Sequence, residues 1–165
     1  MKAEVLLITP PLTQLNTPYP GTAYLNYFLR SQHYTASQFD LGLDLILSLF
    51  SSSGLKDLFD YVENSEEELP LKAKKTLALR QDYQSCVDAV ILFLQNKDLT
   101  LAQRIFSRTY LPEGERFKVL EELNPEIFGR MAVQDFARFL ATLFLEDLGD
   151  FIRDNVDEGF GFSRY

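Results

Sequence analysis

The apolar positions of the chain follow an extended period at the front and a helical period over most of the remainder. Residues 3–9 (AEVLLIT) form a short apolar run that two prolines end, which predicts a buried strand. Residues 20–32 repeat apolar side chains at helical spacing, and residues 34–40 predict a second, weaker strand. A strand, a helix and a strand in this order predict a βαβ unit with parallel strands.

From residue 41 onward the apolar period is helical. Residues 41–50, 55–62 and 71–95 each predict a helix, the last with an interruption near Gln81. Asp98 and Pro112 are each expected to begin a further helix. A final helix is predicted from one apolar stripe, which consists of Val133, Phe136, Ala137, Leu140, Phe144, Leu148 and Ile152.

These patterns predict a helix-dominated α/β fold with two regions. Residues 1–50 are expected to form a partial Rossmann-like βαβ unit with two parallel strands, and residues 51–165 a compact, bundle-like helical insertion. Two parallel strands do not make a self-sufficient layer. The chain ends on Phe160, Phe162 and Tyr165, which are too aromatic for a solvated tail. Both observations favour the front part of a larger protein.

Composition and charge exclude several classes of function. The chain is 46% hydrophobic, and its fourteen Phe and eight Tyr without any Trp predict a core packed by aromatic rings. A net charge of −8 argues against nucleic acid and against an anionic membrane surface as partners. Lys72, Lys74 and Lys75 follow an acidic run and are interpreted as a solvated helix face.

The compartment is predicted from the cysteine count and from the apolar runs. One cysteine, Cys86, cannot form an internal disulfide, which fits a reducing cytoplasm. Pro10 and Pro11 interrupt the first apolar run too early for a signal peptide. The apolar-rich residues 133–152 carry too many charges for a membrane span.

The proline-rich segment between the first strand and the first helix is the candidate ligand-facing loop. Ligands of doubly wound sheets lie beyond the carboxyl ends of the strands, where this loop is expected. It has no G-x-G-x-x-G pattern and no cation, and its prolines lack N–H donors, so it suits a neutral or amide-rich ligand better than a phosphate. A rigid structural corner is an equally weighted alternative. The candidate residues are Pro10, Pro11, Thr13, Gln14, Asn16, Thr17, Tyr19 and Gly21.

Other chemically interesting residues favour structural roles. Asp40 is placed to cap the helix after the second strand, although an acid there can also contact a ribose. His33 lies in a polar turn without metal-ligand spacing, and Cys86 lies on an apolar helix face. Carboxylate pairs such as Glu146 and Asp147 are expected on polar helix faces. No catalytic residue and no metal site are predicted.

Three segments carry a resemblance to a known family: PPLTQLNTPYPGTAYLNYFL, SQFDLGLDLILSLF and GFGFSRY. They resemble the N-terminal region of bacterial radical SAM proteins of the cobalamin-binding type, which are often labelled Fe–S oxidoreductases. The likeness covers nearly the whole chain, and the segment from Pro10 to Pro20 is its most specific part. It implies an accessory, Rossmann-like domain that precedes a radical SAM barrel.

The resemblance implies cofactors for the full-length protein and none for this fragment. Those cofactors are cobalamin, S-adenosylmethionine and a 4Fe–4S cluster held by a three-cysteine motif. That motif is absent here, because Cys86 stands alone. The D-x-H-x-x-G motif of cobalt-ligating domains is absent too, and His33 does not match it. The implied partner is the missing C-terminal part of the same protein.

Two further functional hypotheses stand beside the accessory domain of a radical SAM protein. In one, the chain is a stand-alone helical module for protein–protein interaction without a cofactor. In the other, it is a small-molecule-binding half-Rossmann domain that acts alone. The exposed edge of a two-stranded sheet also predicts a homodimer through paired edges.

Overall fold

A computed structural model describes residues 4–11, 19–65, 68–122 and 131–161 of the chain. The chain divides between Ser48 and Leu49 into two compact units, which we call the α/β unit and the helical unit. Helices predominate, and a parallel pair of strands lies at the front. The predicted helix-dominated α/β class is confirmed.

The α/β unit contains the predicted strand–helix–strand order. Its elements are β1 (Glu4–Thr9), α1 (Pro20–Ser31) and β2 (Thr35–Asp40), and α2 (Leu41–Leu49) follows directly. The strands are parallel and in continuous register from the pair Glu4 and Thr35 to the pair Thr9 and Asp40. Each bound lies within one residue of its prediction, because proline, the helical period and an acidic cap mark the boundaries locally.

The two faces of the strand pair differ in burial. Thr9 and Ala36 are buried on one face, and α1 contacts both strands. On the other face, Leu6, Ile8 and Phe39 are 58%, 48% and 45% exposed. Ile8 and Phe39 are register partners, and Leu6 lies two residues before Ile8. In the part of the chain that the structure describes, this face is an exposed apolar patch, which we call the open face.

Helix α1 is also largely uncovered. None of its residues is fully buried, and Tyr24, Tyr27 and Phe28 are 75%, 78% and 59% exposed. These three residues share one side of the helix because they are three or four positions apart. An exposed apolar side of this kind is typical of a surface that packs against another element or a partner.

The helical unit is built from six α-helices and two short 3₁₀ turns within the described ranges. The helices are α3 (Ser52–Glu63), α4 (Leu71–Ala78), α5 (Arg80–Leu94), α6 (Ala102–Phe106), α7 (Val119–Glu122) and α8 (Val133–Asn155). The 3₁₀ turns are Leu99–Leu101, which precedes α6, and Glu115–Lys118, which precedes α7.

Local capping explains where several of these helices begin. The Ser51 hydroxyl accepts the Gly54 N–H at 3.0 Å before α3, and the Asp98 carboxylate accepts the Thr100 N–H at 3.0 Å. The predicted start at Asp98 is therefore confirmed. The predicted start at Pro112 is wrong, because the chain stays irregular as far as Gly114 and then forms a 3₁₀ turn.

Aromatic rings fill the core of the helical unit, as the composition predicts. Phe59 packs edge-on against Phe151 with a centroid separation of 5.4 Å, and Tyr83 stacks on Phe144 at 5.3 Å. All four side chains are at most 2% exposed. Every residue of the predicted stripe on α8 except Val133 is buried.

Candidate functional site

The sequence predicts a ligand-facing loop at the carboxyl-terminal ends of the two strands. Because the strands are parallel, the segment after Thr9 and the end of β2 at Asp40 lie at the same end of the strand pair. Pro10, Pro11, Tyr19 and Gly21 of the candidate set are described. Thr13, Gln14, Asn16 and Thr17 lie outside the described residues.

The described end of this loop is held by Tyr19 and Gly21. Tyr19 precedes the first turn of α1 in an extended conformation and is 61% exposed. A Cβ atom at Gly21 would lie 2.9 Å from the Tyr19 ring, so the glycine lets the ring rest against the helix. Pro20 occupies the first helical position, where a missing N–H costs nothing. The loop therefore enters α1 through a preformed corner with an accessible phenol.

Asp40 lies at the same end of the strand pair and acts as a cap. Its Oδ1 atom accepts the Leu43 N–H at 3.0 Å, which confirms the structural interpretation of this residue. His33 lies at the opposite, amino-terminal end of the strands, in the exposed turn before β2, with φ of 63°. Six-residue strands span about 20 Å at roughly 3.3 Å per residue, so His33 and the candidate loop are far apart.

Cys86 is buried in α5, as its position on an apolar helix face predicts. Its thiol donates a hydrogen bond to the Asp82 carbonyl at 2.7 Å. Burial raises the pKa of this thiol to about 11, so the thiolate is scarce at neutral pH. Among the described residues no group of three or more His, Cys, Asp or Glu is placed to hold a metal ion.

The carboxylates of α8 are not on a polar face, which corrects the expectation for Glu146 and Asp147. Both are buried, as is Asp150 one turn later. Arg116 donates two hydrogen bonds to the Asp150 carboxylate, from Nε at 2.6 Å and from Nη2 at 2.8 Å. Its Nη1 lies 3.9 Å from Glu146 Oε2. A cation from a distant segment thus allows this helix to bury acids.

Asp147 fixes the backbone of the same segment. Its carboxylate accepts the N–H groups of Gly114 at 3.0 Å and Arg116 at 2.8 Å. A Cβ at position 114 would lie only 2.5 Å from the Asp147 carboxylate, so this close approach requires glycine. Burial raises the pKa of Asp147 to about 6, against the opposing effect of the two backbone donors.

A cleft of about 530 Å³ lies beside this anchored segment, and sequence reasoning missed it. Leu79, Tyr83 and Phe117 supply apolar lining, and Lys72, Lys75 and Lys118 supply cationic lining. We call this site the lysine cleft. Lys74, from the same basic run, is exposed and does not line it.

Glu115 lies among the three lysines of the cleft. The Lys118 ammonium donates a hydrogen bond to its carboxylate. That bond, with the positive charges of Lys118, Lys75 and Lys72, holds the pKa of Glu115 below its usual range. Nothing local in the sequence links residues 72–75 to residues 115–118, so only the folded chain reveals this arrangement.

Comparison with protein-family models, with curated proteins and with solved structures found no match. Within the described ranges, no helix has the length and apolar character that crossing a membrane requires.

Proposed function

We propose that this chain is the N-terminal, accessory ligand-binding part of a cytoplasmic Fe–S oxidoreductase of the radical SAM, cobalamin-binding type. The part itself is not catalytic in this proposal. The motif resemblance suggests the family. The open face formed by Leu6, Ile8 and Phe39 is the observation that carries the proposal, because it points to a larger α/β protein.

The open face lacks the cover that stabilises a parallel sheet. Such sheets are covered by helices on both faces, and two strands alone leave too little apolar area buried. Here α1 covers one face, and the exposed apolar side chains lie on the other. Tyr24, Tyr27 and Phe28 add a second uncovered apolar surface on α1 itself. Further strands and helices of the same protein would cover both surfaces.

The residues present fit only part of the chemistry that the family implies. Cys86 is single, buried and mostly protonated, so this chain does not fit a 4Fe–4S cluster. His33 lies at the amino-terminal end of β2, whereas the candidate loop lies at the carboxyl-terminal ends of the strands. It is therefore too far away to serve as a ligand beside the loop. Any cluster, S-adenosylmethionine site or cobalt ligand would therefore come from the remaining part of the protein, and the loop would supply neutral contacts.

A stand-alone helical interaction module is the second candidate, and one observation favours it. The helical unit has its own core of buried aromatic residues, including Phe59, Tyr83 and Phe144. It therefore resembles a domain that can fold by itself. This alternative leaves the exposed apolar side chains of the α/β unit without a role in folding.

Hydrogen exchange separates the two candidates. Amide exchange in β1, α1 and β2 is measured in the 165-residue chain and in the complete product of the native gene. The proposal predicts strong protection of these elements only in the complete product, whose additional strands and helices cover them. Equal exchange in both proteins would contradict it and would favour the interaction module.

Pairing of two copies through the exposed sheet edges is a competing way to cover the strands. Sedimentation velocity over a concentration series tests it directly. A monomer at all concentrations would remove this explanation, whereas a dimer with protected β1 and β2 amides would show that a second copy replaces the missing part.

A further inference from the structure

We propose that the lysine cleft binds a small anionic ligand with an apolar body, and that Glu115 occupies the anion position when the ligand is absent. The site lies wholly within the helical unit. It is therefore independent of the function proposed for the candidate loop, and it holds for either candidate function above.

The charge distribution of the cleft supports an anion. The protein carries a net charge of −8, yet the described lining contains four cations and three acids. Three of the cations are paired: Arg108 with Glu113 at 2.6 Å and Lys118 with Glu115, both within the lining, and Lys72 with Asp154, outside it, at 2.7 Å. When the Glu115 side chain turns outward, Lys75 and Lys118 face a vacated anion position. Walls of low dielectric strengthen such a local field.

The shape and lining of the cleft indicate the rest of the ligand. A volume of about 530 Å³ lies within the range of roughly 300–1,000 Å³ that is usual for small-molecule sites. Leu79 and Phe117 offer aliphatic and aromatic contacts next to the lysines. An aromatic or branched carboxylate, sulfonate or phosphate ester combines the matching apolar and anionic parts.

The Glu115 carboxylate can move without displacing the backbone, because different groups hold the side chain and the neighbouring main chain. The backbone on either side is anchored by Asp147, through the N–H groups of Gly114 and Arg116. The carboxylate itself lies in an exposed ion pair, which contributes little to stability. An incoming anion can therefore replace the carboxylate without unfolding the segment.

The test uses 1-anilinonaphthalene-8-sulfonate as the probe, with N-phenyl-1-naphthylamine as its uncharged counterpart. Lys75→Glu reverses an exposed cleft charge, and Lys74→Glu is the matched control on the same helix, outside the cleft. We expect Lys75→Glu to weaken sulfonate binding about fivefold and Lys74→Glu to leave it nearly unchanged. Binding of the neutral probe should not respond to either substitution. Equal sulfonate affinities in the two variants would overturn the proposal.

Glu115→Gln provides the opposite perturbation. Removal of the internal anion should strengthen sulfonate binding about threefold, and added salt should reduce that binding. Amide shifts in the nuclear magnetic resonance spectrum locate the probe, because the open face of the α/β unit can also attract apolar dyes. Shifts concentrated in residues 72–79 and 114–118 support the proposal. Shifts confined to β1, α1 and β2, or unchanged affinity in Glu115→Gln, would refute it.

Discussion

Replacing Asp147 with asparagine should remove a specific part of the pH dependence of stability. Asp147 is buried in α8, where it accepts two backbone N–H groups and faces Arg116, Asp150 and Tyr83. Asparagine keeps the shape of the side chain but cannot be ionised. Its single amide oxygen can satisfy one of the two N–H donors fully, so the substitution also has a constant cost of about 1–3 kcal/mol.

The magnitude follows from the pKa in the folded and unfolded states. Burial raises the pKa of Asp147 from its usual 3.8 to about 6. Between these values the folded protein keeps a proton that the unfolded chain loses, so the free energy of unfolding falls as the pH rises. At about 1.4 kcal/mol per pH unit, the contribution of this residue falls by about 2 kcal/mol between about pH 4.5 and pH 6 and is then constant. Asp150 does not interfere, because Arg116 holds its pKa below the usual value of 3.8.

Urea unfolding at about pH 4.5, 5.5 and 7 measures the effect. The free-energy difference between the native protein and Asp147→Asn should shrink by about 2 kcal/mol from the lowest to the highest pH. Asp57→Asn, at an exposed carboxylate of α3, should show no comparable change and serves as the control. A difference that stays constant with pH would refute the reasoning about burial of this carboxyl.

Three further predictions concern other parts of the chain. Phe59→Ala should lower the free energy of unfolding by about 3–5 kcal/mol, since its ring is fully buried against Tyr83 and Phe151; Phe59→Leu should cost less in the same denaturation assay. Cys86 should react very slowly with a disulfide reagent near pH 8 and rapidly after unfolding; fast native reaction would contradict its burial. Asp40→Ala should increase amide exchange at the start of α2, and Asp40→Asn should largely restore protection.

The parts of the fold that were predictable depend on local signals. Two prolines end β1, Pro20 begins α1, and Asp40 both ends β2 and caps α2. Each boundary is set by residues within a few positions of it. The helical stripe on α8 was predictable for the same reason, because apolar spacing within one helix defines the side that faces the core.

The features that were missed depend on residues far apart in the chain. The start predicted at Pro112 failed because Asp147, 33 residues after Gly114, fixes the backbone there. Glu146 and Asp147 were expected on a polar face, but Arg116 and backbone donors from the same segment allow their burial. The apolar period of α8 depends only on residues within that helix, so it does not predict these partners.

The lysine cleft illustrates the same limit for function. The sequence shows Lys72, Lys74 and Lys75 as one basic cluster and indicates a solvated face, and all three are exposed. The structure separates them, since Lys72 and Lys75 line a cleft with Lys118 whereas Lys74 does not. The difference arises from helix geometry, because Lys72 and Lys75 are three positions apart and share a side, whereas Lys74 lies about 200° around the helix from Lys72.

Sequencing the native gene beyond the codon for Tyr165 is the decisive test of the proposed accessory role. We predict that the reading frame continues through further strands of the α/β sheet to a C-x-x-x-C-x-x-C motif in a radical SAM barrel. A stop codon directly after Tyr165 would contradict the proposal that this chain is the accessory part of such an enzyme.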